Sequence, residues 1–476
     1  MNNEKDPKSP ATTSAAYDSM VEPWRVINTL LGGSLAMRAA GKDYTPQHEA
    51  ETDKGYKTRL QATVLLNMVE QTRDTLAGKP FAKPVEVSDS LPPAVGDLLD
   101  NIDLEGSSLG VFAREWFKEG LTKGFCHVLV DQPRPIIPED GSPRTLADDR
   151  RENIRPYWVL IKPENLFFAQ SEMVGGAEIL THVRILETYT TMAGFSEVQQ
   201  QRIRVLTPGM VTLYEQNPDN EEEWLLSDQW ETGMGSIPLV TFYANKSGLM
   251  QAKPPLLDLA HLNVTHWQST SDQRNILRIT RFPVLACTGA SEEQQVVLGP
   301  NKVLYNPDPK GSFYYLEHKG NAVSSGREDL RDLEEKMAGY GAEFLKKRPG
   351  VQTATARILD SAEASSDLSA MVVSFEDALS QCLNLTAEWL SLPDIGTGLV
   401  ELVRSFANDM PTQEAILQTL DNARDRRDLS RLGYLEALGR LGVLQDDFDA
   451  EADSALMGEE EGNALDFSGG AANADS

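Results

Sequence analysis

The sequence predicts an α+β fold, on three observations. Between residues 127 and 216, five short runs rich in β-branched and aromatic residues alternate with turn residues. From Pro254 onward, apolar residues instead recur at helical spacing over long stretches. Hydrophobic residues make up 40 % of 476 positions, enough for a sizeable core spread over two to four structural regions.

Residues 1–19 have the composition of a flexible N-terminus. Residues 20–40 offer helical material interrupted by Gly32 and Gly33, and Pro46 biases Thr45 toward extended backbone. A helix is predicted from Tyr56 to Leu76, where Leu60, Val64, Asn67 and Gln71 fall near one stripe. Another is predicted over residues 107–121. The strands follow as HVLVD (127–131), YWVLI (157–161), ILTHVRILETYT (179–190), QRIRVLT (201–207) and MVTLYEQ (210–216), with a proline-rich loop at 132–156.

PPLLDLAHLNVTHWQSTSD opens a helix over 256–278, because proline is tolerated in a first turn. The strand-like stretches FPVLACTG, QVVLG and FYYLEH then lead to a second helix over 326–344, striped by Leu330, Leu333, Met337, Tyr340 and Phe344. Pro349 and Gly350 interrupt it. From about Thr353 to Leu390 the stripe Ile358, Leu368, Val372, Phe375, Leu379, Leu383, Thr386 and Leu390 predicts a helix roughly 55 Å long at 1.5 Å per residue. Two helices meeting near Ser365 and Ser366 are the alternative. A further helical pair lies in 393–445, and residues 446–476 carry ten acidic residues, no basic ones and four glycines, the composition of a solvated tail.

Charge narrows the function classes. With 72 acidic and 44 basic residues the formal charge is −28. That opposes broad phosphate gripping, which draws on Lys and Arg, yet it suits enclosing DNA without adhering to it. Cys126, Cys287 and Cys382 stand far apart with no CxxC pairing, so neither a disulfide framework nor a cysteine metal site is indicated and a reducing compartment is expected. Residues 1–20 lack a secretory-signal layout, and no stretch approaches the roughly 20 apolar residues of a membrane span.

Motifs for chemistry are weak. GSSLG at 106–110 fits G-x-S-x-G around Ser108, but a nucleophile elbow needs a preceding strand, and Ser107 or Ser108 suits a helix N-cap better. No P-loop occurs. His261 and His266, five apart on a helix, diverge and form no zinc pair, while His48, His127, His182 and His318 have no readable partners. Glu334 with Glu335, and Asp446 with Asp447, read as solvated acidic surface. The basic run Lys346, Lys347, Arg348 lies at the break between two strong helices; it is either a favourable helix C-terminus or a set of phosphate contacts. No cofactor or metal is expected.

The order of these pieces resembles the portal proteins of tailed double-stranded DNA bacteriophages, in a divergent portal-like branch. The resemblance is carried by Trp24, Gly32, Gly33, the turn from Ala40–Gly41 to Tyr44–Thr45–Pro46, Tyr56, Arg59, Asn67 and Gly78–Lys79–Pro80–Phe81. It departs from the branch at Thr45, where an aliphatic residue is more usual, and in AGKPFAKP. In the other half, PPLLDLAHLNVTHWQSTSD resembles a stem-entry helix, FPVLACTG the approach to the clip, and EDLRDLEEKMAGYGAEFL the returning stem helix. TATARILDSAEASSDLSAMVVSFEDALSQCL resembles the long wing helix, and LSRLGYLEALGRLGVLQDDFDAEAD the crown.

The resemblance implies a mixed wing at 20–255, a stem helix at 256–278, a small β-containing clip at 279–325 and a second stem helix at 326–344. A tunnel loop at 345–352, a long wing helix at 353–392, a crown at 393–445 and an acidic tail at 446–476 complete it. It implies a homo-oligomeric ring, usually a dodecamer, at one capsid vertex of a virion, assembled in the host cytoplasm. Its expected partners are major capsid and scaffolding proteins, a terminase, a head-tail adaptor and double-stranded DNA passing transiently through the channel at Lys346, Lys347 and Arg348. A head-tail adaptor, another non-enzymatic scaffold and a hydrolase centred on Ser108 are the alternatives.

Overall fold

A computed structural model of the protein describes residues 9–134, 148, 151–217, 220–281, 284–288, 310–316, 321–343, 366–404, 406 and a few positions between 421 and 438. The chain divides into two compact units, residues 1–406 and 407–476. In the second, Tyr434 Oη donates to Asp421 Oδ1 at 2.6 Å. The predicted crown helices and acidic tail lie almost wholly outside the described residues, as do QVVLG and the loop at 345–352.

The first unit begins with α1 (Ala15–Leu31), α2 (Gly33–Ala40), α3 (Asp53–Ala62), α4 (Met68–Gly78), β1 (Glu86–Val87), the single turn α5 (Pro93–Gly96) and α6 (Leu109–Lys123). Gly124 then adopts φ +94°, a left-handed conformation that glycine takes without strain, and turns the chain into β2 (Phe125–Asp131). Next come β3 (Tyr157–Ile161), β4 (Leu166–Val174), β5 (Ala177–Ala193), β6 (Ser196–Thr207), β7 (Met210–Asn217), β8 (Asn220–Glu231), β9 (Leu239–Tyr243), β10 (Lys246–Gly248) and β11 (Gln251–Ala252). The remainder is α7 (Leu257–Thr280), β12 (Val284–Thr288), β13 (Ser312–Leu316), α8 (Asn321–Glu343), α9 (Asp367–Trp389) and β14 (Val400–Glu401).

A three-stranded antiparallel sheet, β3-β2-β9, lies between two hydrophobic cores. Side chains alternate across a strand, so Cys126, Val128 and Val130 of β2 face one core while Phe125 and Leu129 face the other. The first core packs α1, α4, α6, α7 and α9 on the sheet. At its centre the Phe375 ring lies within 4.9–5.2 Å of Phe242, Trp116 and Phe117, edge to face, an arrangement worth about 0.5–1.5 kcal/mol per pair beyond burial. The second core joins Met20 and Trp24 of α1 to the antiparallel meander β4-β5-β6-β7-β8 through Val183, Ile185, Leu206 and Val211. Arg204 bridges the two sheets, donating to Glu187 at 2.6 Å and Asp131 at 2.9 Å.

Two helix predictions are corrected. The helix expected from Tyr56 to Leu76 is two: Thr63 is extended, and Asn67 caps α4 by accepting from Glu70 N at 3.2 Å. The helix expected from 353 to 390 does not run unbroken. Ser366 is extended and accepts from Ser369 N, so α9 starts at Asp367; the stretch expected before it lies outside the described residues. A Ser side chain satisfies an orphan N–H better at a helix start than it serves a helix interior.

Candidate functional site

Helix α7 and helix α8 form the structural pair expected at 256–278 and 326–344. At 24 and 23 residues they are each about 35 Å long. They pack against each other, and Gln273 Nε2 of α7 donates to the Val323 carbonyl of α8 at 2.8 Å. A Cβ at Gly326 would run into Gln273 Oε1, so the glycine permits this approach. His266 of α7 sits 3.3 Å from Glu334 Oε1, and Tyr340 donates to the Pro255 carbonyl at 3.3 Å. Between the helices, β12 and β13 pair antiparallel from Val284–Leu316 to Thr288–Ser312.

Only a narrow stripe of α8 is covered, with Leu333 and Met337 buried and Leu330 and Tyr340 half-buried. Arg327, Glu328, Asp329, Arg331, Asp332, Glu334, Glu335 and Lys336 are exposed, five carboxylates against three cations. Such a face is a solvated wall, net acidic. Asp258, His261 and Thr265 make the first half of α7 polar on its own open side.

What holds α7 is the segment from Tyr44 to Val69. Trp267 Nε1 donates to Thr45 Oγ1 at 2.7 Å, and Gln268 Nε2 to the Tyr44 carbonyl at 3.1 Å. Asn263, fully buried, accepts from Met68 N and Val69 N at 3.0 and 3.2 Å and donates to the Leu66 carbonyl at 2.9 Å, which accounts for the break between α3 and α4.

Arg59 is the centre of this clamp. Its side chain is 2 % exposed, and it donates to both Glu51 oxygens (2.8 and 2.9 Å), to the Pro46 carbonyl (2.8 Å), to Ser271 Oγ (3.0 Å) and, more loosely, to Asp272 (3.4 Å). The guanidinium also lies 5.6 Å from the Tyr56 ring centre. Hydrogen bonding to Glu51 raises the Arg59 pKa, and the same contact holds the Glu51 carboxyl below the ordinary carboxylate range. The Tyr44–Thr45–Pro46, Tyr56 and Arg59 stretch is thus a strap that fixes one helix of the hairpin. Sequence reasoning picked out these residues without assigning Glu51, Asn263 or Ser271 as their partners; a buried polar set spread over more than 200 positions leaves no local pattern.

The other sequence candidates fare differently. Ser108 occupies the N-cap position of α6 without a side-chain capping bond, and the chain before it is a 3-10 turn (Leu99–Asn101) and an irregular bend with Gly106 at φ +100°. No strand leads into Ser108, so the strand-turn-helix of a nucleophile elbow is not formed. His261 is exposed while His266 is buried, on separate faces. His127, fully buried with Thr241 Oγ1 2.9 Å away, has its pKa pulled down to about 3 by burial. Among the described residues no group of three or more His, Cys, Asp or Glu could hold a metal ion, and no helix is long and apolar enough to cross a membrane. Lys346, Lys347 and Arg348 lie outside the described residues.

Comparison with known proteins marks the same region. Residues 255–390, from the proline pair before α7 through α9, match the model of a family described as a domain of unknown function, DUF4055. No curated protein matches the chain. Among solved structures, a chain of the neck of an empty GTA particle computed with C6 symmetry is similar over 87 % of this chain and 99 % of its own, at 11 % identity and a TM-score of 0.40. A chain of the virion of a native gene transfer agent (GTA) particle is similar over 79 % and 89 %, at 11 % identity and a TM-score of 0.39. A chain of the neck of a native GTA particle computed with C12 symmetry is similar over 85 % and 99 %, at 10 % identity and 0.40.

Proposed function

We propose that this chain is the subunit of a portal ring, a homo-oligomer of about twelve copies at one vertex of a virus-like capsid. Double-stranded DNA would pass through its lumen during packaging and ejection. The observation that carries this reading is the α7–α8 hairpin: two antiparallel helices of about 35 Å, tipped by a small β-ribbon, held along the middle of α7 by the Arg59 strap and open on a charged face. Twelve such hairpins side by side make a wall whose net acidic face repels phosphate evenly, so a duplex slides without adhering. Nothing in that role requires a nucleotide site in this chain; a separate terminase would supply the force. Major capsid and scaffolding proteins would contact the ring's rim, and a head-tail adaptor would close it after packaging. Lys346, Lys347 and Arg348, between α8 and α9 in sequence, would touch DNA transiently at the narrowest level.

Capsids assembled with and without this chain test the proposal, with nuclease-protected DNA as the readout. Genome-length DNA is expected only in capsids that contain the chain, and equal protection in both would reject the function. A K346A/K347A/R348A chain that still forms rings is expected to retain shorter DNA. Full-length retention would remove those residues from the channel's working contacts.

A further inference from the structure

The face of α7 that the strap covers continues beyond the strap, and there its chemistry changes. At 100° per residue, Asn263, Trp267, Ser271, Arg274, Arg278 and Arg281 fall within an arc of about 80°. The first three are fully buried. The three arginines that follow are exposed, and Arg281 is still bonded to the helix through its N–H to the Leu277 carbonyl at 3.2 Å. Among the described residues none of the three is paired with a carboxylate; Arg278 reaches Asn275 Oδ1, at 3.4 Å. Elsewhere Arg25, Arg59, Arg202, Arg204 and Arg404 are tied to carboxylates, and Arg38, Arg155 and Arg184 to backbone carbonyls. The nearest acid in sequence, Asp272, is already engaged by Arg59 and His48.

The rest of this end of the hairpin is basic too. From 273 to 327 the sequence carries Arg274, Arg278, Arg281, Lys302, Lys310, Lys319 and Arg327 against Glu292, Glu293, Asp308 and Glu317, seven cations to four carboxylates. In a chain of charge −28, unpaired arginines concentrated at one end of one hairpin are a local inversion of sign.

We propose that Arg274, Arg278 and Arg281 form a phosphate-gripping stripe for the backbone of double-stranded DNA. The spacing favours a phosphodiester chain over an acidic protein. The stripe extends about 10 Å along the axis, and three successive phosphates on one strand cover about 7 Å along the duplex axis, within the reach of the three long side chains. Guanidinium forks fit phosphate oxygens two at a time. The amides beside them are engaged within the protein, Gln273 with the Val323 carbonyl and Asn275 with Arg278, so the grip is indifferent to sequence. The stripe assigns adhesion to the β-ribbon end of the hairpin, complementary to the acidic remainder of α8, and it does not depend on how many copies assemble.

Fluorescence anisotropy of a labelled 20-base-pair duplex of mixed sequence, titrated with the full chain between 25 and 200 mM NaCl, tests it. The R274A/R278A/R281A chain is expected to bind at least about 100-fold more weakly at 50 mM salt, and its log–log salt slope to fall by about 2.7, three contacts at about 0.9 each. A triple-lysine variant should recover most of the slope. An unchanged slope in the alanine variant overturns the stripe, as does polyglutamate displacing the duplex as well as unlabelled DNA does, since the site would then be a protein surface. Images of the same samples separate this from the channel proposal: rings with no slope difference sink the stripe alone, and a slope difference without rings sinks the channel alone.

Discussion

Replacing Arg59 with methionine tests whether the strap holds α7. The variant keeps most of the side-chain volume and removes every donor. Glu51, 11 % exposed, then loses its cation, and the Pro46 carbonyl and Ser271 Oγ lose their donor. Breaking a buried pair by deleting one partner costs about 3–5 kcal/mol. The lower figure applies here, because Asp272 is half exposed and Glu51 can turn toward water. A local cost of about 3 kcal/mol is roughly a 100-fold shift in the opening equilibrium. Hydrogen exchange read by mass spectrometry should therefore quicken about 100-fold in peptides covering residues 44–62 and the middle of α7, with α6 and β2 unchanged. Unchanged exchange over 44–62 would refute the clamp, and uniform acceleration over the whole chain would show that Arg59 supports the core instead. The pair has a pH signature with a definite sign. Because Glu51 titrates below its ordinary value, its stabilisation is present above the unfolded carboxylate value and is lost as pH falls through the lowered one. R59M should lack that dependence.

Two further substitutions probe the hairpin and the core. Gly326→Val should push the Gln273 amide aside and break its bond to the Val323 carbonyl, lowering stability by about 1 kcal/mol, seen as a lower Tm, whereas Gly339→Ala, on the same helix with open space at its Cβ, should raise it by up to about 1 kcal/mol from helix propensity. His127→Gln should remove an acid sensitivity: burial lowers the native imidazole to about 3 against about 6.5 unfolded, so between those two values the wild-type chain loses about 1.4 kcal/mol per pH unit of acidification relative to the variant, measured by denaturant unfolding.

Much of the first unit was legible in the sequence where pattern and burial coincide. YWVLI was bounded correctly because β3 is a short, largely half-buried apolar strand with polar or irregular chain on both sides, and the α9 stripe from Leu368 to Thr386 is buried as its spacing predicts. β4 and β8 went unread: LFFAQSEMV and NEEEWLLSDQWE lack alternation, since β8 is a sheet edge with Leu225 and Leu226 open to solvent. The first turn of α8, NAVSS, carries no stripe, and its place is fixed by Gln273 from the neighbouring helix.

The site was half legible. The strap residues stood out as a group, but their role depends on Asn263 and Ser271, which look like ordinary polar helix positions in the sequence. The arginine stripe was missed although Arg274 and Arg278 lie within the helix expected at 256–278. Charge was weighed as the contiguous run Lys346–Arg348 rather than at helical spacing.

A single-particle reconstruction of the purified chain under assembly conditions bears most directly on the channel. A closed ring is predicted, about twelve-fold, with α7 and α8 of every copy around a hole wide enough for a duplex. Compact monomers at every concentration, or a ring whose hairpins point away from any lumen, would contradict it.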